Sequence, residues 1–146
     1  MRFQSHGNLY VLGDNMIFNN INGAIINTKK INIHDDILID LMFERKNRKL
    51  TLLLTKENRI RYHMTFINVI GFDFTACNFW GNSPHVLDFE YVDMSKRNII
   101  PKLLKIKEST LCDPTCVLET QKDFIETKMT FTSGDKLEIA CEYIEI

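Results

Sequence analysis

The most motif-like segment of the chain is Cys112-Asp-Pro-Thr-Cys116, two thiols in a turn. Two thiolates so spaced can grip one side of a zinc ion, provided two further ligands converge on the other side. The sequence holds no second close Cys/His pair, so His63 or His85 would have to be brought in by the fold. Without them the segment reads as a loop stiffened by Asp113-Pro114, its cysteines acting as small apolar groups. No metal site and no cofactor are expected. The four histidines (His6, His34, His63, His85) are scattered, and activating a nucleophile needs a three-dimensional coincidence that spacing does not report. Neither a Gly-x-Ser-x-Gly nor a His-Glu-x-x-His pattern occurs, and six glycines leave little from which to build a phosphate-cradling loop. No catalytic residue is nominated.

Charged residues pair in a way that suggests structure before chemistry. Asp88 and Glu90 share one face of a strand, as do Arg59 and Arg61 on an earlier one, with His63 beside them. Two carboxylates can divide acid and base roles when their surroundings separate them; carboxylates opposite arginines across a sheet form ion pairs, which is the expectation here. Arg45, Lys46, Arg48 and Lys49 are basic enough to touch nucleic acid, and Tyr62, Phe72, Phe74 and Trp80 could stack on bases. Yet those aromatics fall on the apolar phase of their strands. The basic cluster therefore reads as a solvated hairpin tip, and no nucleic-acid partner is expected.

One loop stands out. Cys77-Asn-Phe-Trp-Gly-Asn-Ser-Pro-His85 holds the only Trp, followed by small polar residues and a proline. A large amphipathic ring among adaptable hydrogen-bonding groups is the mixture that anchors protein interfaces. Trp80, Asn82, Ser83 and His85 are the expected partner-binding residues. The competing reading is Trp80 folded inward as a plug at one end of a sheet.

The elements that would hold this loop are strands. Period-two alternation recurs along most of the chain. Ile37, Ile39, Leu41 and Phe43 share one face; Leu50, Leu52 and Leu54 repeat the pattern after the polar turn of residues 45–49, making a hairpin. Ile60, Tyr62, Met64 and Phe66 alternate with Arg59, Arg61, His63 and Thr65. Phe72 and Phe74 flank Asp73, and Leu87, Phe89 and Tyr91 follow Pro84. At the C-terminal side Ile125, Thr127, Met129 and Phe131 lead through Thr132-Ser-Gly-Asp135 to Leu137, Ile139, Cys141 and Tyr143, with Gly134 supplying the positive φ of the turn. Asn22-Gly23, between Met16–Phe18 and Ala24–Ile26, suggests a tight hairpin. Helical spacing is best matched by Asn98–Glu108, with Pro101 near its first turn, while its Leu-Lys-Ile-Lys portion alternates equally well as a strand. The predicted buried set is Ile60, Tyr62, Met64, Phe66, Met129, Phe131, Leu137 and Ile139. The expected fold is mainly β, an antiparallel β-sandwich or open barrel of about ten short strands with at most one short helix.

At 146 residues the chain has the size of one domain, roughly 100–150 residues being the commonest, so residues 1–146 are read as a single domain. With 45% hydrophobic residues it can bury a core, and intrinsic disorder is excluded. Eighteen basic against nineteen acidic residues give a net charge of −1, a field too weak to draw the chain to phosphate or to an anionic membrane. No apolar run approaches the roughly 18 residues of a spanning helix, and the first fifteen residues show no signal-peptide core. A cytoplasmic domain with reduced thiols and no disulfide is expected.

Three segments, Phe66-Ile-Asn-Val-Ile-Gly-Phe-Asp-Phe, Phe79-Trp-Gly-Asn-Ser-Pro-His-Val-Leu and Thr132-Ser-Gly-Asp-Lys-Leu-Glu-Ile-Ala-Cys-Glu-Tyr-Ile-Glu-Ile, resemble the small β proteins of low-GC Gram-positive bacteria. Some of these, such as the YxiG-like group, are suspected immunity proteins against contact-dependent toxins. The resemblance covers the last two thirds of the chain in separate pieces and implies no catalytic residue. The expected function is a non-catalytic protein-binding module whose partner is another protein, a toxin if the resemblance holds. A small-molecule or carbohydrate-binding sandwich using Trp80, Asn82 and His85 is the alternative, and a hydrolase or metal-dependent enzyme with a site assembled from distant residues is the third.

Overall fold

The computed structural model describes residues 3–6, 9–12, 15–28, 31–75, 85–109 and 124–146. Eleven strands are found among these residues: β1 (Phe3–His6), β2 (Leu9–Leu12), β3 (Asn15–Phe18), β4 (Ile37–Glu44), β5 (Lys49–Thr55), β6 (Arg61–Ile67), β7 (Gly71–Phe74), β8 (Val86–Tyr91), β9 (Ile125–Phe131), β10 (Lys136–Cys141) and β11 (Tyr143–Glu145). A large antiparallel sheet has the order β1-β2-β3-β11-β6-β5-β4, and a small one the order β7-β10-β9-β8. Together they form a sandwich-like arrangement, with one α-helix, α1 (Ile99–Ser109), among the described residues.

The predicted alternation drives the packing. Leu50, Leu52, Leu54, Met64, Phe66, Phe18 and Ile144 face inward from the large sheet, and Met129, Phe131, Leu137, Ile139 and Cys141 from the small one; all belong to one buried cluster. Removing a side chain of this size from water contributes roughly 1.5–3 kcal/mol. The chain changes sheets at two adjoining places. Asn68–Ile70 carries β6 into β7, and Glu142 carries β10 into β11. The two corners are laced together: Asn68 Nδ2 donates to Glu142 Oε2 (2.9 Å), Ile70 N–H to Ala140 O (2.9 Å) and Glu142 N–H to Ile67 O (3.1 Å). Asn68 takes a left-handed φ of 54° at the bend, a conformation asparagine tolerates better than most residues.

The 45–48 hairpin turn, the β9–β10 hairpin with Gly134 at φ 88°, and the helix stand as the sequence suggests. Ile99 and Ile100 bury against Phe124 and Ala140, with Leu103 and Ile70 beside them. The helix has no acidic residue in its own first turn; the buried carboxylate of Glu126 on β9 supplies one, accepting from Asn98 N–H (2.6 Å) and Ile100 N–H (3.0 Å). Two of the helix's unpaired donors are thereby satisfied.

Asn22-Gly23 does not turn a tight hairpin: residues 23–28 form a 3-10 turn, and β3 pairs with β2 and β11. Asn22 points inward, donating through Nδ2 to Ile17 O (2.9 Å) and accepting from Asn19 N–H (2.7 Å). Gly23 lies so close to Tyr91 that a Cβ would sit 2.9 Å from its ring. Ile60 is exposed instead of buried, because residues 56–60 form a turn with Arg59 at φ 68°, and β6 begins only at Arg61. Tyr62 is half-buried at the core's margin. The anticipated pairing of Asp88 and Glu90 with Arg59 and Arg61 fails, since β8 and β6 belong to different sheets; Glu90 lies opposite Lys128 and Asp88 opposite Thr130. The last strand stops at Cys141, and Tyr143 starts another in the opposite sheet.

Candidate functional site

The site begins with two register shifts. β4 bulges against β5 between Leu38 and Asp40, and β8 bulges against β9 between Val86 and Asp88. A bulge inserts one residue, so the residues after it exchange faces. Leu38, Leu41 and Phe43 consequently oppose Leu54, Leu52 and Leu50, while Ile39 is turned out at 43% exposure. In β8, Val86 and Phe89 are buried and Leu87 is turned out at 48%. Uninterrupted alternation places Ile39 on the face of Leu41 and Phe43, and Leu87 on that of Phe89.

The bulged strands meet. Ile37 forms an isolated antiparallel bridge with His85, Asp35 N–H donates to Val86 O and Val86 N–H to Asp36 O, each at 2.8 Å. The edge of the large sheet is thus stitched to the edge of the small one at this corner, with the bulges two residues beyond the bridge on each strand. Phe43, farther along β4, packs edge-on against Phe72 of β7 with ring centroids 4.9 Å apart. β4 therefore runs across the small sheet from one edge strand to the other.

Beneath the corner lies a polar network. Asp36 is buried, and its Oδ2 accepts from Tyr62 OH (2.5 Å) and Lys56 Nζ (3.1 Å). Lys56 Nζ also donates to Asn32 O (2.9 Å) and stands 5.1 Å from the Tyr62 ring centroid. Burial first, then the hydrogen bond to Asp36 and its charge, push the Tyr62 phenol far above its ordinary range. At neutral pH Tyr62 is a hydrogen-bond donor and neither base nor nucleophile. Asp35, at φ 69°, turns outward and pairs with His34 (Nδ1–Oδ2 3.1 Å), both side chains being exposed. Two concavities flank this segment. One, of about 500 Å³, is polar and lined by His34, Asp35, Lys56 and Glu57 among others. The other, of about 310 Å³, is walled by Ile26, Ile31, Ile33, Leu87 and Phe89.

Of the nominated partner-binding residues, His85 is exposed at the bridge itself, while Trp80, Asn82 and Ser83 lie outside the described residues. Cys77, Cys112 and Cys116 lie outside them too. Cys141 is wholly buried, its thiol pushed up by burial and then by the charge of Glu142. His63 is exposed on the outer face of β6, opposite Leu53. Arg45, Lys46 and Arg48 are exposed at the hairpin tip, as a solvated tip requires, and Tyr62, Phe72 and Phe74 pack against the core. Among the described residues no three His, Cys, Asp or Glu side chains gather as metal ligands would, and no helix is long and apolar enough to cross a membrane. The sequence carried no signal for Asp36, Lys56 or the extruded Ile39 and Leu87. The extrusions flank the bridge between Ile37 and His85, and the network joins residues 20 and 26 apart in sequence.

No family model matches the chain, and no curated protein matches it. Among solved structures, the crystal structure of an uncharacterized protein from Neisseria gonorrhoeae is similar at a TM-score of 0.40 and 17% identity, covering 76% of this chain and 88% of that one.

Proposed function

We propose that the domain is a non-catalytic protein-binding module that engages its partner at the bulged corner. The carrying observation is the extrusion of Ile39 and Leu87 on either side of the Ile37–His85 bridge. Bulges recur where a strand re-aims a side chain, and here two of them put aliphatic groups into solvent beside exposed His34, Asp35 and His85. Apolar anchors with a polar rim on a rigid frame suit recognition of another protein. The residues that precede His85 in sequence extend the nomination to Trp80, Asn82 and Ser83. In this reading, which rests on the YxiG-like resemblance, the partner is a bacterial toxin and the domain a cytoplasmic immunity protein. The test is affinity capture from the native cell with three baits: wild type, Leu87→Asp and Trp80→Ala. A partner held by wild type and lost by the folded variants supports the reading; identical captures reject it.

Small-molecule binding is the second reading, favoured by the apolar hollow of about 310 Å³ under Leu87, near the lower end of ligand-pocket volumes, roughly 300–1,000 Å³. A ligand copurifying with wild type and displaced by Ile33→Phe would favour it.

A further inference from the structure

A separate groove lies on the outer face of the large sheet and shares no residue with the bulged corner at Ile37 and His85. In β11, Ile144 is buried, so its neighbours Tyr143 and Glu145 point the other way, and Ile17 of β3 lies opposite Glu145. Asn19 and Asn20, Phe124 and Glu142 complete a concavity of about 630 Å³. Asn19 is fixed there, its Oδ1 taking the N–H groups of Ile21 (2.9 Å) and Asn22 (3.3 Å). Glu142 is held by Asn68 through Oε2. Among the described residues the wall thus combines two aromatic rings, an aliphatic side chain, two amides and two carboxylates, and none of these lining residues is basic. The Tyr143 phenol is raised above its ordinary value by burial, then by Glu145 and Glu142, so both carboxylates are felt at the ring.

We propose that this groove binds a small organic cation, an ammonium or guanidinium head on an aliphatic stem. Each part of the wall has a matching part of such a ligand. The carboxylates of Glu142 and Glu145 supply charge-assisted acceptors, the electron-rich face of Tyr143 attracts a cation, and Phe124 and Ile17 cover methylene groups. An anion would meet two like charges, and a purely apolar ligand would strip two carboxylates of water without replacing it.

The test is an amide-shift titration of the intact domain with agmatine, an aliphatic chain with guanidinium and ammonium ends, against neutral N-butylurea and against magnesium chloride. Saturable shifts are expected with agmatine at Asn19, Asn20, Phe124 and residues 142–145, and neither control should reproduce them. Glu145→Gln should weaken agmatine at least about tenfold, the loss of one charge-assisted contact. Glu57→Gln, which removes an exposed carboxylate from the corner, should leave it unchanged. Tyr143→Leu, which keeps both carboxylates, should also weaken it. The proposal is overturned if butylurea or magnesium gives the same shifts, if agmatine shifts residues elsewhere and not the groove, or if folded Glu145→Gln binds like wild type.

Discussion

Tyr62 donates its phenol proton to the buried carboxylate of Asp36, tying β6 to the segment that leads into β4. The bond joins residues 26 apart in sequence and fixes the backbone that bridges the two sheets. Tyr62→Phe keeps the ring and removes only the donor, leaving Asp36 with Lys56 as its charged partner. A hydrogen bond to a charged group contributes about 1.5–3 kcal/mol, so urea denaturation should show a loss of that order. Amide exchange of Asp35 and Val86, whose N–H groups make the bridge, should accelerate more than that of the β9–β10 hairpin. A variant as stable as wild type would show that the bond only decorates the surface.

Burial of Tyr62 and of Cys141 links the stability of the fold to alkaline pH. In the unfolded chain the Cys141 thiol ionises near pH 9.0 and the Tyr62 phenol near pH 10.0, and the folded protein holds both protons beyond those values. Above them the unfolded chain binds fewer protons than the folded one, so stability falls as pH rises; below pH 9.0 both contributions are present in full. Denaturation midpoints followed upward from neutral pH should bend down past pH 9.0. Cys141→Ala should remove the earlier part of the bend and Tyr62→Phe the later part. Equal alkaline slopes in wild type and the double variant would refute this.

The β4 bulge makes a sharp contrast between neighbours. Leu38 faces the core and Ile39 faces solvent, so Leu38→Ala should cost about 2–4 kcal/mol through lost contacts and a residual cavity. Ile39→Ser should stay within about 0.5 kcal/mol, as surface substitutions do. Uninterrupted alternation predicts the reverse order, and thermal melts of the two variants decide between them.

These residues show where sequence reading succeeds and where it stops. Leu50, Leu52, Leu54, Met64 and Phe66 are legible because unbroken alternation over a whole strand leaves one register that buries them. The β9–β10 hairpin is legible because Gly134 and its polar neighbours determine the turn locally. Ile39 and Leu87 are not, since a bulge is selected by the pairing partner and by the bridge at Ile37, neither of which is local. Asn22-Gly23 misleads for a related reason. Its glycine answers to the Tyr91 ring and its asparagine to the Ile17 carbonyl, both tertiary contacts that outweigh a turn preference. In the corner network, Asp36, Lys56 and Tyr62 each lie in ordinary polar surroundings along the chain, and only the fold brings them together.

Glu126, a carboxylate with almost no exposed surface, holds the start of α1. A buried carboxylate without partners would be costly, so its two backbone donors stabilise the charge as much as the charge stabilises them. Glu126→Gln keeps the size but puts an amide nitrogen where one carboxylate oxygen accepts, and that nitrogen cannot serve Asn98 or Ile100 as an acceptor. One donor is left unsatisfied, a loss of about 1–3 kcal/mol. The effect should be local. Ile99 and Ile100 anchor the helix to Ala140 and Phe124, so weakening its first turn should raise exchange across Ile99–Ser109 while Leu52 and Met129 in the main core stay protected. Hydrogen exchange read residue by residue separates this outcome from global destabilisation. If protection falls equally in α1 and in β5, Glu126 supports the whole sandwich and not the helix alone.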